Sequence, residues 1–361
     1  MVLPRVPGEP PRDLGKPLEV VRLRIYPEIG GLRLDQALHR LLQWRSRSFL
    51  QRLIREGRVS VEAAPGDDPS RNVDPARAAM RVRAEEILVV QVPKDGPAPC
   101  VDWQDDEIHV VFEDEWLVAI DKPAGLTVHP SGRRLDGTLV NILHRKYRNP
   151  DDPERDVVPR LCHRLDRETS GLILVAKTDR AHTEVRRQFE ATRVRKSYLA
   201  IVEGRVAMSE GRVDAAIGPD SRSAIRLKCA IREDGLASVT RWKLLRHVGR
   251  FSLLECFPET GRQHQIRVHL ASIGHPLVGD KLYGPDENYF LEAMHGTLDG
   301  EARARLRIDR HALHSHSLRL MHPIDGTALE IRAPLAADLT AFLEDCVAFQ
   351  DEAPENTNPV R

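Results

Sequence analysis

The apolar, β-rich runs between residues 108 and 322 restrict the fold more than any other feature of the chain. "IHVVFEDEWLVAIDKP" contains two such runs around an acidic turn, and others follow at "GLILVA", "KSYLAIVEG", "FSLLECFP" and "HSLRLMHP". Helical periodicity among them is confined to residues 179–192 and 263–273. Strands mixed with isolated helices, without regular alternation, predict an α+β domain with a mixed, largely antiparallel sheet rather than a doubly wound one.

Ahead of that domain, "RLDQALHRLLQWRSRSFLQRLIREGRVSVE" reads as helix, turn, helix and strand. Leu34, Ala37, Leu38, Leu41 and Leu42 recur at helical spacing, and Leu50, Leu53 and Ile54 continue on a second helix that Ser46 or Ser48 can cap. Gly57 stops that helix and "RVSVE" alternates as a strand. The expected organisation is a disordered tail over residues 1–18, a small α/β domain over 19–93 and a linker over 94–107. The large domain then covers 108–345, and an acidic tail follows over 346–361.

Lysine plus arginine equals aspartate plus glutamate at 54 each, so no global field draws the chain to nucleic acid or to a membrane, and such affinity requires local patches. Arg45, Arg47, Arg52, Arg55 and Arg58 form one patch on the small domain, opposed by Glu56. The five cysteines are far apart without a C-x-x-C pair, which indicates reduced thiols rather than a zinc ribbon or a disulfide framework. No apolar run approaches the roughly 20 residues that span a bilayer, and the N-terminus lacks a signal-peptide apolar region, so the expected location is the cytoplasm.

Three segments hold the candidate chemistry. In "HRLDRETSG", Asp166 stands between Arg164 and Arg167 at the entrance to "LILVA", where burial raises a carboxylate pKa and an arginine lowers it. Such an aspartate serves either as an ion pair closing a turn or as a reacting group. In "RVRKSYLAIVEG", Tyr198 is either core packing or a flat surface for a nucleic-acid base. In "TGRQHQIRVHLASIGHPLVGD", Ile266, Leu270 and Ile273 predict the buried stripe of a helix closed by Gly274. Arg267 lies beside that stripe, within reach of a buried carboxylate. His264 and His269 are separated by roughly 140° of helical rotation, so they do not converge on a metal. His314 and His316 share a strand face without an evident third ligand and are read as structural. No metal is expected.

These segments also resemble a known family. "RLDQAL", "SRS" and "LIREGRVSV" match the S4 RNA-binding module in order and spacing, although "MRVRAEEILVV" stands where that module usually has V-x-x-G-D before its last strand. "LVAIDKPAGLTVHP", "HRLDRETSGLILVAK", "KSYLAIVEG", "TGRQHQIRVHLASIGHPLVGD" and "HALHSHSLRLMHP" resemble the RluA family of pseudouridine synthases. That resemblance implies a pseudouridine synthase fold with a central cleft over residues 108–345. It also implies Asp166 as the catalytic carboxylate, Tyr198 as the ring against the uracil and Arg267 as the charge opposing Asp166. Arg164 would fill the space left by the extruded base, and Lys196, Arg33, Arg45, Arg47, Arg55 and Arg58 would contact RNA. Isomerisation without net redox change implies no cofactor, in keeping with a chain that has neither G-x-G-x-x-G nor a P-loop. The implied partner is RNA, ribosomal RNA of the large subunit before transfer RNA, and the expected state is a monomer. Two rivals are a non-catalytic ribosome-assembly factor and a carboxylate hydrolase with Glu168 as its second acid.

Overall fold

The computed structural model describes residues 20–42, 47–64, 66–91, 108–129, 137–149, 151–152 and 154–351. It divides into two compact units, residues 1–105 with 129–158 and residues 106–128 with 159–361. The N-terminal tail and the linker expected over residues 94–107 lie outside the described residues.

In the first unit, strands β1 (Val20–Arg24), β2 (Val59–Glu62) and β3 (Ile87–Gln91) form an antiparallel sheet in the order β1-β3-β2. Helices α1 (Leu34–Leu41) and α2 (Arg47–Arg55) bury Leu34, Ala37, Leu38, Leu50, Leu53 and Ile54 in one core with Val59 and Val61. Gly57 turns the chain from α2 into β2 in the left-handed conformation, at φ 68°. The unit also contains α3 (Leu139–Tyr147), begun by a Thr138–Asn141 capping box.

The unusual "EE" before β3 has a structural explanation. Glu86 is fully buried, and its carboxylate accepts from Arg83 N at 2.6 Å and from Arg71 Nη2 at 2.6 Å, so it anchors the turn. Glu85 carries φ 71°, a left-handed backbone that costs a residue with a Cβ about 1–2 kcal/mol. Its half-exposed ion pair with Arg24 returns only part of that cost. Glu85→Gly is therefore expected to stabilise this unit by roughly 0.5–1 kcal/mol, as a higher urea midpoint. An unchanged or lower midpoint would show that the Arg24 pair outweighs the backbone strain.

The second unit is built on a ten-stranded sheet. Its strands are β4 (His109–Glu113), β5 (Leu117–Lys122), β6 (Arg160–Leu161), β7 (Ser170–Ala176), β8 (Arg195–Val202), β9 (Glu210–Asp214), β12 (Val239–Val248), β13 (Phe251–Pro258), β14 (Leu313–Met321) and β15 (Ala328–Arg332). The spatial order is β4-β5-β7-β14-β8-β13-β12-β9, with β6 on β7 and β15 on β14. All pairings are antiparallel except β7 with β14 at the centre. A hairpin of β10 (Ile217–Pro219) and β11 (Cys229–Ile231) stands apart from the sheet.

Helix α4 (Asp179–Glu190) packs Ala181 and Val185 against Leu172, Leu174 and Leu318. Helix α8 (Ala337–Asp351) packs Leu339 and Leu343 against Leu199, Ile201 and Leu253. Between them in sequence come α5 (Gln265–Ser272), α6 (Asn288–His295) and α7 (Gly300–Leu306).

Residues 129–158, expected within the large domain, group with the first unit, and two further expectations are corrected here. Helix α8 continues to Asp351, because Leu339, Phe342, Leu343 and Cys346 keep helical spacing and pack together; the residues beyond it lie outside the described ones. Ile273 does not join a buried stripe. Helix α5 ends at Ser272, Ile273 is 38% exposed, and α5 is buried along Gln265–Leu270 rather than on one face.

Candidate active site

Asp166 lies on the loop between β6 and β7, and each side of that loop is tied to the sheet. Leu165 and Thr169 are buried, Thr169 N donates to Asp166 O at 3.2 Å, and Thr169 Oγ1 lies 2.7 Å from His311 Nε2. Arg310 Nη1 donates to Glu168 O at 3.2 Å, while its Nε and Nη2 grip the Asp338 carboxylate at 2.6 and 2.8 Å. The Glu168 carboxylate accepts from Lys281 Nζ at 2.9 Å.

Lys122, at the end of β5, is fully buried. Its Nζ donates to Pro123 O, Leu126 O and Arg167 O at 2.8, 3.1 and 3.1 Å. Burial pushes the Lys122 ammonium down to about 7. The cage acts the other way, since three carbonyl acceptors need three N–H donors and the ammonium alone has three. Lys122 thus fastens the "DKPAG" loop to the backbone of the residue after Asp166.

Arg267 comes from the first turn of α5, and the turn before it is locked by Gln265. The Gln265 Oε1 accepts from Thr260 Oγ1 and Arg262 N at 2.7 and 3.0 Å, and its Nε2 donates to Val239 O and Thr240 Oγ1 at 2.8 and 3.0 Å. Arg267 is 7% exposed. Its Nε and Nη2 donate to Asp280 Oδ2 and Oδ1 at 2.8 and 2.9 Å, and its Nη1 donates to Asp166 Oδ2 at 3.0 Å. Asp280 Oδ1 also accepts from Leu282 N and Tyr283 N, and these contacts with Arg267 hold its buried carboxyl far below the usual range. The Arg267 guanidinium lies 5.0 Å from the centre of the Tyr283 ring.

Burial raises the Asp166 carboxyl, but His264 and Arg267 opposite it outweigh that and leave it below its ordinary 3.8. His264 is itself pushed down to about 4 by burial and by Arg267, and His311 likewise to about 4. At neutral pH both imidazoles are uncharged, so the standing charge that keeps Asp166 ionised is Arg267. The sign follows: a carboxyl with a depressed pKa is charged above its ordinary value and loses that charge only in stronger acid. Activity is therefore expected to stay flat from about pH 5 to about pH 7. An inflection of kcat/KM near 6.5, the ordinary histidine value, would show instead that a site histidine titrates there.

Asp166, Tyr198 and Arg267 line one cavity of about 530 Å³. Ligand sites commonly occupy ~300–1,000 Å³, so the volume suits a nucleotide. Tyr198 is 9% exposed, and burial with the negative Asp166 nearby pushes its phenol up to about 12, so it is protonated at neutral pH. Of the expected RNA contacts in this unit, Arg164 is exposed at the cavity. Lys196 also lines the cavity, with Nζ donating to Thr260 O at 3.1 Å and burial pushing it down to about 8.

In the other unit Arg33 pairs with Asp35 at 3.0 Å, Arg58 pairs with Glu56 at 3.1 Å and Arg55 reaches Gln51 O at 3.4 Å. Arg45 and the Arg47 side chain lie outside the described residues. His269 is occupied by Thr240 Oγ1 and Ala215 O and, among the described residues, shares no partner with His264, whose contacts are Tyr283 and Asp166. His314 Nδ1 lies 3.0 Å from Ser170 Oγ, and His316 Nδ1 bonds Ala333 O at 2.7 Å.

Sequence reasoning missed Lys122, His264, Asp280 and Tyr283. Lysine at the end of the apolar "LVAID" run, and "GD" closing the segment after α5, were the available signals.

Residues 116–272 match the family described as RNA pseudouridylate synthase, and residues 32–76 match the S4 domain. Ribosomal large subunit pseudouridine synthase D from Nitrosomonas europaea is 38% identical over 330 residues, 90% of this chain and 87% of that protein. The protein of the same name from Pseudomonas aeruginosa is 39% identical, over 89% of this chain and 95% of its own. The solved structure of human RNA pseudouridylate synthase domain containing 1 aligns at 26% identity and a TM-score of 0.50, covering 68% of this chain and 97% of its own. With an α+β fold built on a mixed sheet and an S4 domain ahead of it, the chain belongs to the RluA-type RNA pseudouridine synthases, enzymes that isomerise uridine in RNA.

Proposed function

We propose that this enzyme converts specific uridines of large-subunit ribosomal RNA to pseudouridine with Asp166 as the reacting carboxylate, acting as a cytoplasmic monomer. The observation that carries the reading is the state of Asp166. It is ionised, with Oδ2 held by Arg267 while Oδ1 accepts no hydrogen bond from the described residues, in a cavity shared with Tyr198. An ionised carboxylate with a free oxygen is a nucleophile. Relatives named for the ribosomal large subunit support the choice of RNA.

The reaction balances without a cofactor. The N1–C1′ bond of uridine breaks, a C5–C1′ bond forms, the C5 proton leaves and N1 takes up a proton. Tyr198, its phenol neutral, lays its ring against the uracil, and a base stacked this way gains ~1–3 kcal/mol. Arg164 occupies the gap the base leaves in the RNA, which offsets part of the few kcal/mol that extrusion costs. The S4 domain, carrying Arg33, Arg45, Arg47, Arg55 and Arg58, binds structured RNA and raises the local concentration of the linked catalytic unit.

A glycoside-hydrolase reading would need a second carboxyl held protonated. Glu168 does not meet that requirement. Burial raises its pKa, but His311 and the ion pair with Lys281 pull it below the ordinary range.

Release of tritium from RNA labelled at uridine C5 tests the chemistry, and pseudouridine mapping of cellular RNA with and without the protein tests the substrate. Tight RNA binding without tritium release would leave an assembly factor. Pseudouridines lost from transfer RNA alone would move the substrate there.

A further inference from the structure

His264 holds an unusual backbone position beside Asp166. It precedes α5 with φ 56°, in the left-handed region that bulky residues avoid. That backbone turns its ring into the cavity, with Nδ1 2.8 Å from Tyr283 Oη and Nε2 3.8 Å from Asp166 Oδ2. The Tyr283 ring meets it edge-on, at 5.6 Å between centres and 80° between planes.

The hydrogen bonds decide which nitrogen carries the proton. Cys229 N donates to Tyr283 Oη at 2.9 Å, so the phenol oxygen is already an acceptor. Its own proton has one remaining partner among the described residues, His264 Nδ1. A nitrogen that accepts at Nδ1 carries its proton at Nε2. The opposite tautomer would leave the phenol proton unpartnered and aim the Nε2 lone pair at a carboxylate. The chain Cys229 N–H to Tyr283 O–H to His264 Nδ1 therefore turns an N–H toward Asp166 Oδ2.

Arg267 Nη1 donates to that same oxygen at 3.0 Å. Both donors thus converge on Oδ2, and a closure of under about 1 Å brings His264 into hydrogen-bonding range, as catalytic contacts often tighten when substrate binds. We infer that His264 is a positioning residue which, as its Nε2–H tautomer locked by Tyr283, joins Arg267 in pinning Asp166 Oδ2 so that Oδ1 alone faces the uridine. This rests on Asp166 being the reacting group. Tyr283 organises both donors, since it bonds His264 and lies under the Arg267 guanidinium.

Three substitutions separate this role from a purely structural one. Asparagine suits a left-handed backbone and places its amide near the Nδ1 position, whereas glutamine extends an N–H to the Nε2 position but fits the backbone less well. In the full-length enzyme, His264→Ala and His264→Asn are expected to lower kcat for tritium release by about 10-fold or more, with KM little changed. His264→Gln should recover a large part of that loss. Asparagine equal to or better than glutamine would overturn the proposal, because backbone fit and the Tyr283 contact would then be all that matters.

Histidine-selective nitrogen NMR on the same protein gives a readout independent of turnover. His264 should appear as the Nε2–H tautomer, and Tyr283→Phe should release it to a mixture. An Nδ1–H tautomer in the unaltered protein would overturn the lock. If the unaltered enzyme released no tritium, the isomerase reading would fail, while the tautomer spectrum would still uphold or refute the hydrogen-bond chain.

Discussion

The Asp166→Asn enzyme is expected to release C5 tritium at about 1/1,000 of the normal rate or less, while it folds and binds RNA as before. A factor of this size is about 4 kcal/mol of transition-state stabilisation, the scale of a lost nucleophile rather than of a lost contact. The amide keeps the shape of the carboxylate, and its oxygen can still accept from Arg267 Nη1. Its neutrality removes the nucleophilic oxygen.

The fold should tolerate the change because Arg267 remains held by the two hydrogen bonds it donates to Asp280. The resting site sets two carboxylates on one guanidinium, so neutralising one of them also removes a repulsion. Asp280→Asn differs: Asp280 is fully buried and four hydrogen bonds end on its carboxylate. A thermal melt alongside the tritium assay checks the distinction. A normal rate for Asp166→Asn would remove Asp166 from the chemistry, and a large fall in melting temperature would show that its charge serves the fold.

The residues of the site differ in how readily a sequence reveals them. Asp166, Tyr198 and Arg267 stand in runs of distinctive order, and the strands that carry them follow from apolar runs bounded by turn residues. The pairing of Arg267 with Asp166 is legible as chemistry, since a buried arginine needs a carboxylate. The identity of its principal partner is not. Asp280 approaches through a turn after α5, and nothing in "HPLVGD" says that its carboxylate meets the guanidinium rather than solvent.

Lys122 shows the same limit from the other side. A lysine ending a β run usually reaches water, and its cage of three carbonyls exists only once loops distant in sequence are brought together. The proton on His264 is one step further removed, because it depends on a backbone N–H of β11 and a phenol that folding places beside it. Glu85 is legible only as a departure from pattern; its left-handed backbone explains why glycine is the usual residue there.

Gly171→Ala is expected to destabilise the catalytic unit by about 3 kcal/mol or more, seen as a lower urea midpoint. Gly171 sits where β7 meets β14 in the one parallel pairing of the sheet, opposite Ser315, with φ 102°. A Cβ at this position would lie 2.3 Å from Ser315 O and 2.6 Å from Ser315 N, distances that no side-chain rotation relieves because the obstacle is backbone. Relief requires the central strands to part, and both are buried where they pair.

The damage should extend to the rate per folded molecule. The Asp166 loop runs directly into this strand, and Thr169 and Ser170 bond His311 and His314 on the approach to β14 and within it. A strand displaced from β14 carries the loop with it and lengthens the contact of Asp166 with Arg267, which comes from a different element. A misplacement of ~1 Å can cost 100-fold in rate, so kcat measured on the folded fraction should fall as well. A normal midpoint with a normal rate would mean that β7 finds room the close approach to Ser315 does not offer.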